Sequence, residues 1–274
     1  MKRAEEVRDL LSLSPDEVMT KAGSRLVVCD DLDALHRRFA RDVADALIPA
    51  ARHGRRLQLI VPVGPVGQYP YLADILNRQQ GSLERVTLFF MDEYAEASGR
   101  TVTDSHPLSF RRTAAEQFLD RLAPGIAPPP EQIVFPGEDN IDTLAARIEA
   151  GGGIDACFGG IGIHGHVAFN EPEPGVADSD PRRVRLNDFT VTINAVRAGV
   201  GGNLEGFPRD AYTLGLRQIR DARQIRLYCR NGCPFDWANT VLRLALFGEP
   251  GDDYPVTLLP RERTVVTTDR ETLA

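Results

Sequence analysis

The chain has no long hydrophobic run: no window approaches the ~18–20 apolar residues that a membrane-spanning helix needs. Residues 1–13 carry closely spaced charges and no apolar stretch, unlike a secretory leader. Cysteine is sparse. Of Cys29, Cys157, Cys229 and Cys233, only the last two lie near one another, and no second pair completes a four-ligand metal site. The first three adjoin apolar, strand-like segments where a thiol behaves as a small hydrophobe. Reduced thiols and a cytoplasmic address are the expectation. Lys/Arg clusters interleaved with aromatics are also missing, and the net charge is −7. A nucleic-acid binder needs a positive footprint to displace counterions, so that class is excluded, as is a membrane partner. Repeats and low-complexity segments are absent.

What remains is an ordinary globular composition over 274 residues, 42% hydrophobic and 26% charged. Ser14-Pro15-Asp16-Glu17 reads as a capped helix start. Asp30 or Asp31 caps a helix running to about Arg52, with Leu35, Phe39, Val43 and Leu47 as its buried stripe. His36 falls off that stripe and reads as solvated. LQLIVPV (57–63), VTLFFM (86–91) and residues 154–158 are nearly continuous apolar runs, as expected of parallel strands covered on both faces. Further strands are predicted at 26–29, 211–216 and 225–229, with a last edge strand at 264–267. Helices are predicted near 71–78, 110–122, 141–150 and 235–246. Segments 95–105 and 173–181 are polar, without periodicity, and read as irregular. The alternation predicts one domain over residues 1–274: α/β, an open, mostly parallel, Rossmann-like sheet with helices on both faces.

In such sheets ligands bind outside the carboxyl ends of the strands. Three of those ends carry unusual residues: Gly64-Pro65-Val66-Gly67, Asp92-Glu93-Tyr94, and GGIGIHGHVAFNEP (159–172). A carboxylate just past a buried strand does not serve packing, so Asp92 is a candidate general base. Glycines in the third segment let backbone N–H groups approach a ligand. His164, His166 and Glu171 follow as candidate acid/base groups. They could also make a three-ligand metal set, but a spacing of two is weak, and no metal or other cofactor is expected. Glu93 reads as structural by type, although its position places it among the substrate contacts.

MDEY (91–94), SHPLSF (105–110) and GGIGIHGHVAFNEP, in this order and spacing, resemble the glucosamine-6-phosphate deaminase/isomerase family. That family reads MDEY, HPxSY/F and GGxGxDGHxAFNEP. The likeness runs from about residue 26 to 267 and is strongest over 86–172. It implies an aldose–ketose isomerase, releasing ammonia from an amino sugar. Asp92 matches the base that moves a proton between C1 and C2. His166 matches the acid/base that opens the sugar ring, and Glu171 the carboxylate that orients it. Gly64, Pro65, Gly67, Glu93, Gly160, Gly162, Asn170, Arg197 and Arg209 become the expected substrate contacts. The partner is a small sugar, and homo-oligomerisation is left open.

The chain departs from that pattern in two places. The family's acid before GH is His164 here, which leaves the division of roles between the two histidines open. Its TGxTP phosphate loop is replaced by Val63-Gly64-Pro65-Val66-Gly67, with no hydroxyl, and Pro65 has no N–H to give. An arginine and a lysine that pair with phosphate in the family fall on Val191 and Cys233. Each charge-assisted bond lost costs about 1.5–3 kcal/mol, so the expected substrate lacks the standard 6-phosphate. Arg182, Arg183, Arg197, Arg209 and Arg230 are the candidates for a relocated anion grip. The alternative activities are a sugar-lactone hydrolase of 6-phosphogluconolactonase type and a silent sugar-binding regulator.

Overall fold

A computed structural model describes residues 2–200, 204–230 and 237–274. In chain order the elements are α1 (Arg3–Leu11), α2 (Pro15–Ala22), β1 (Leu26–Cys29), α3 (Leu32–His53), β2 (Leu57–Val61), α4 (Tyr69–Gln79), β3 (Val86–Phe90), β4 (Asp92–Ala95), α5 (Phe110–Gln117), β5 (Ile133–Val134) and α6 (Leu144–Ala150). They continue with β6 (Ala156–Gly160), β7 (Arg182–Arg185), α7 (Asp188–Arg197), β8 (Asp210–Thr213), α8 (Leu216–Arg220), β9 (Gln224–Tyr228), α9 (Ala238–Phe247), β10 (Thr264–Asp269) and α10 (Arg270–Leu273).

Seven strands form a parallel sheet in the order β1-β10-β9-β6-β2-β3-β5. Because successive strand residues point to opposite faces, the apolar runs feed two cores. Leu59, Val61, Leu88, Phe90 and Phe158 pack under α3 and α4, while Ile60, Phe89, Cys157 and Leu227 pack under α2, α6, α8 and α9. This is why those strands read as continuous apolar stretches. On α3, Leu35, Phe39, Val43 and Leu47 are all buried, and the Asp31 carboxylate accepts from the Ala34 N–H at 2.8 Å to start the helix. The expected cap at Ser14 is present, and Ser14 and Glu17 close a capping box on α2.

The structure corrects one expectation about strands and adds a second sheet. Segment 264–267 is not an edge: β10 lies between β1 and β9, and β1 is the edge. Residues 92–95 form β4, which pairs antiparallel with β8 and, through it, with β7 in a second, three-stranded sheet. A third core, with Tyr94, Phe169, Val191 and Phe207, joins this sheet to α7. No helix among the described residues is long and apolar enough to cross a membrane.

The chain leaves β2 toward β3 and β5 on one side, and leaves β6 toward β9 and β10 on the other. Since β2 and β6 are neighbours, the sheet's switch point lies between them. That crevice is where an open α/β sheet holds its ligand.

Candidate active site

Asp92 stands two residues beyond the end of β3, as the first residue of β4, where the chain turns out of the main sheet. Met91 anchors the turn: its N–H donates to the Val61 carbonyl at 3.1 Å, and its carbonyl accepts from Leu214 at 2.8 Å. The Asp92 side chain is buried. Burial first, and then the neighbouring Glu93 carboxylate, raise its pKa well above the ordinary aspartate value.

His166 follows β6 through a closed turn. Gly162 donates to the His166 carbonyl at 2.9 Å, and Gly165 donates to the Gly162 carbonyl at 3.0 Å. Gly165 has φ +67°, and a β-carbon there would meet Val256 at 2.9 Å, so both backbone and space call for glycine. His164 also has positive φ, +61°, in a region that non-glycine residues seldom adopt away from functional sites. The His166 ring lies across Gly162, where a β-carbon would be 2.5 Å from both Cδ2 and Cε1. Burial, then the charges of His164 and Arg197, hold His166 well below the usual histidine range. It is neutral at physiological pH. His164 is shifted the same way by burial, and its ring meets Phe189 of α7 edge-on at 5.1 Å.

Two contacts bring the neighbours of Asp92 and His166 to the same rim of the sheet. Met91 and Val167, their chain neighbours, both close on Gly159, where a β-carbon would be 2.5 Å from the Met91 methyl and 3.6 Å from Val167 Cγ1. Thr213, register partner of Asp92, accepts the Phe169 N–H at 3.1 Å, and the Phe169 ring centroid is 6.3 Å from that of His166. Nothing in the sequence flagged Thr213, because the pairing of β4 with β8 is long-range.

Three atoms in this segment are buried and have no hydrogen-bond partner in the protein: Nδ1 of His164, Nδ1 of His166 and Oε1 of Glu171. Buried polar atoms are normally satisfied, and this segment holds three of the exceptions. Among the described residues, no cluster of three metal-ligating side chains forms, so His164, His166 and Glu171 do not converge as a metal set.

Other expected site residues have different occupations. Glu171 meets α7 rather than His166: its Oε2 accepts the Asn187 N–H at 2.7 Å. Burial raises its pKa, opposed by Thr190 and Asn187. Glu93 is fully buried and saturated, accepting the N–H groups of Tyr94 (2.9 Å), Phe110 (2.9 Å) and Arg111 (2.8 Å). It braces the start of α5 and does not face a ligand. Asn170 is likewise spent inside the fold, donating to the Val167 and Leu214 carbonyls at 2.9 and 3.0 Å and accepting from Arg182 at 2.9 Å. Arg209 pairs with Asp188 at 2.9 Å. The short polar strand and loop segments that absorb these residues carry no local signature of their partners.

Arg197 lies close enough to be felt at His166. Its charge acts on His166, and its guanidinium carbon lies 4.8 Å over the Trp237 ring centroid. Around the β2 loop, Pro65 packs toward Gly160, where a β-carbon would be 3.0 Å from Pro65 Cδ. His36, expected to be solvated, is half-buried with its ring against Gly67. The α3 stripe alone could not show this, since the neighbour comes from another strand's loop. Cys233 lies outside the described residues.

No family model matches the chain. It is similar to glucosamine-6-phosphate deaminase of Caenorhabditis elegans, 31% identical over 209 residues that cover 74% of each chain. It is also similar to the Porphyromonas gingivalis enzyme of that name, 30% identical over 211 residues, 74% of this chain and 76% of the other. Among solved structures, a monomeric glucosamine-6-phosphate deaminase superposes with TM-score 0.73 at 23% identity, over 90% of this chain and 98% of the other. The 6-phosphogluconolactonase of Thermotoga maritima superposes with TM-score 0.65 at 15% identity, over 89% and 98%; that likeness is one of fold. Shared sequence over three-quarters of the length, a common sheet, and strand-tip residues drawn to one rim lead to one conclusion: the chain belongs to the glucosamine-6-phosphate deaminase family.

Proposed function

We propose that this enzyme of the deaminase/isomerase type interconverts an aldose and a ketose, or converts an amino sugar to a ketose and ammonia, with Asp92 as base and His166 as ring opener. The observation that carries the reading is the shared rim: the two residues come from strand tips on either side of β2, and their chain neighbours Met91 and Val167 meet over Gly159. A neutral His166 takes the proton of the C1 hydroxyl and returns one to the ring oxygen, giving the open-chain sugar. Asp92 then removes the C2 proton while the C1 oxygen is protonated, forming an enediol, or an enolamine where C2 carries nitrogen. Return of the proton to C1 gives the ketose or its imine, and water hydrolyses the imine to ketose and ammonia. An elevated pKa makes ionised Asp92 a stronger base than an ordinary carboxylate.

The far end of the substrate differs from a standard 6-phosphate. The β2 loop carries no hydroxyl, and Val191, fully buried in the third core, offers no charge. Of the arginines that could replace the grip, Arg182 is paired with Glu173, Arg183 with Asp210 and Arg209 with Asp188. The free thiols of Cys29 and Cys157 support a reducing, cytoplasmic setting.

A panel of aldoses, ketoses and amino sugars, each with and without 6-phosphate, tests the reading by following ketose and ammonia together. Efficient turnover of glucosamine 6-phosphate contradicts the claim about the far end. Hydrolysis of a sugar lactone with no isomer formed contradicts the chemistry, and so does binding without turnover across the panel.

A further inference from the structure

The loop after β2 is also packed against α3. His36, on the second turn of that helix, stands over Gly67: a β-carbon there would lie 2.5 Å from both ring nitrogens. Pro65, in the same loop, packs against Gly160, the last residue of β6. Imidazole, loop and strand tip therefore form one continuous packed surface leading to the turn that carries His166.

The charges around His36 decide what this end of the crevice can hold. Those acting on the ring are Arg230, just past β9, and the carboxylates of Asp33 and Asp269. Asp33 is itself paired with Arg37 at 2.7 Å. Pro65 gives no N–H, and Val63 and Val66 give no hydroxyl. Burial, then the Arg230 charge, keeps the His36 pKa below its ordinary value, so the ring is neutral near pH 7. A neutral imidazole has one N–H donor and one bare nitrogen acceptor, the complement of a hydroxyl group.

We infer that His36 is a specificity-determining residue that receives the hydroxylated, unphosphorylated end of the sugar, remote from the carbons handled by Asp92 and His166. That the ligand is a sugar rests on the isomerase/deaminase reading; the packing of His36 does not.

The test uses the full-length protein as wild type, His36→Ala and His36→Asn, with glucose, glucosamine and their 6-phosphates as probes, in steady-state kinetics and calorimetric titration. Thermal melts check that each variant folds. Wild type is expected to prefer the unphosphorylated member of each pair. His36→Ala is expected to raise its KM and Kd about tenfold, the loss falling on binding rather than on kcat. His36→Asn, which keeps an N–H and an acceptor, is expected to recover part of the loss. The inference is overturned if KM and Kd for both members are unchanged in His36→Ala. It is equally overturned if wild type prefers the 6-phosphates and the variant weakens them, which makes the ring part of an anion grip. Turnover with an unchanged KM leaves the isomerase reading intact while removing His36. Binding without turnover removes the isomerase reading, and the Kd comparison still decides His36.

Discussion

The His166 imidazole rests directly on Gly162, with no room between them for a methyl group: a β-carbon would stand 2.5 Å from two ring carbons. Gly162 has φ −92° and ψ −177°, extended backbone that alanine adopts freely. Gly162→Ala therefore probes ring position without straining the chain. The ring must swing away, and displacement of a reacting group by about 1 Å can cost about 10²-fold in rate. The expected outcome is a fall of that order in kcat with a thermal midpoint close to wild type, measured by steady-state kinetics and calorimetry.

Asp92 gives a paired prediction in activity and stability. Replacing a general base costs about 10²–10⁴-fold, so Asp92→Asn is expected to lose that much in kcat. Because the folded state raises the Asp92 pKa, the fold favours the protonated carboxyl. Its stability contribution is fullest below the unfolded value near 3.8 and is lost as pH rises through the folded value. Asparagine resembles the protonated form at every pH. Asp92→Asn should thus gain stability over wild type as pH rises from 4 toward neutrality, read from thermal midpoints across pH. In wild type, kcat/KM should fall on the acid side at a pH above the ordinary carboxylate range.

His166 has the opposite sign. Its folded pKa is lowered from 6.5 to about 3, so between those values the unfolded chain binds a proton that the native state refuses. Stability is lost as pH drops through that window, at up to about 1.4 kcal/mol per pH unit. His166→Asn removes this contribution. Urea unfolding from pH 7 to pH 4 should show a shallower acid decline in the variant than in wild type.

Much of the fold was legible because its causes are local. The 57–61 and 86–90 runs are apolar on both faces, and the α3 stripe and the Ser14 and Asp31 caps state their own structure. The position of β10 was not legible, since order in a parallel sheet depends on crossovers rather than on the Thr and Val content of one strand. β4 was hidden as well: Asp92 and Glu93 look like loop residues, and only pairing with β8, more than a hundred positions away, makes them a strand. At the candidate site, Asp92 and the histidines were singled out by type and place, whereas Glu93, Asn170, Glu171 and His36 are defined by partners that the chain brings from elsewhere.

Glu93 shows what such a hidden role is worth. It satisfies three backbone N–H groups near the start of α5. In Glu93→Ala these are left buried and unpaired, at about 1–3 kcal/mol each before relaxation and water entry. A loss of about 3 kcal/mol in urea-unfolding free energy is expected. Glu93→Gln, which keeps one acceptor oxygen, should lose less.

The central claim is that Asp92 breaks the bond between C2 and its hydrogen in a sugar opened by His166. Aldoses and amino sugars carrying deuterium at C2 test it most directly, with the label followed by NMR in wild type, Asp92→Asn and His166→Asn. Wild type is predicted to strip deuterium from C2 of the sugar it converts. Asp92→Asn should leave it in place, and His166→Asn should strip it only when the sugar is supplied in a form that opens without help. Retention of C2 deuterium in everything wild type consumes, or stripping by Asp92→Asn at the wild-type rate, contradicts the account.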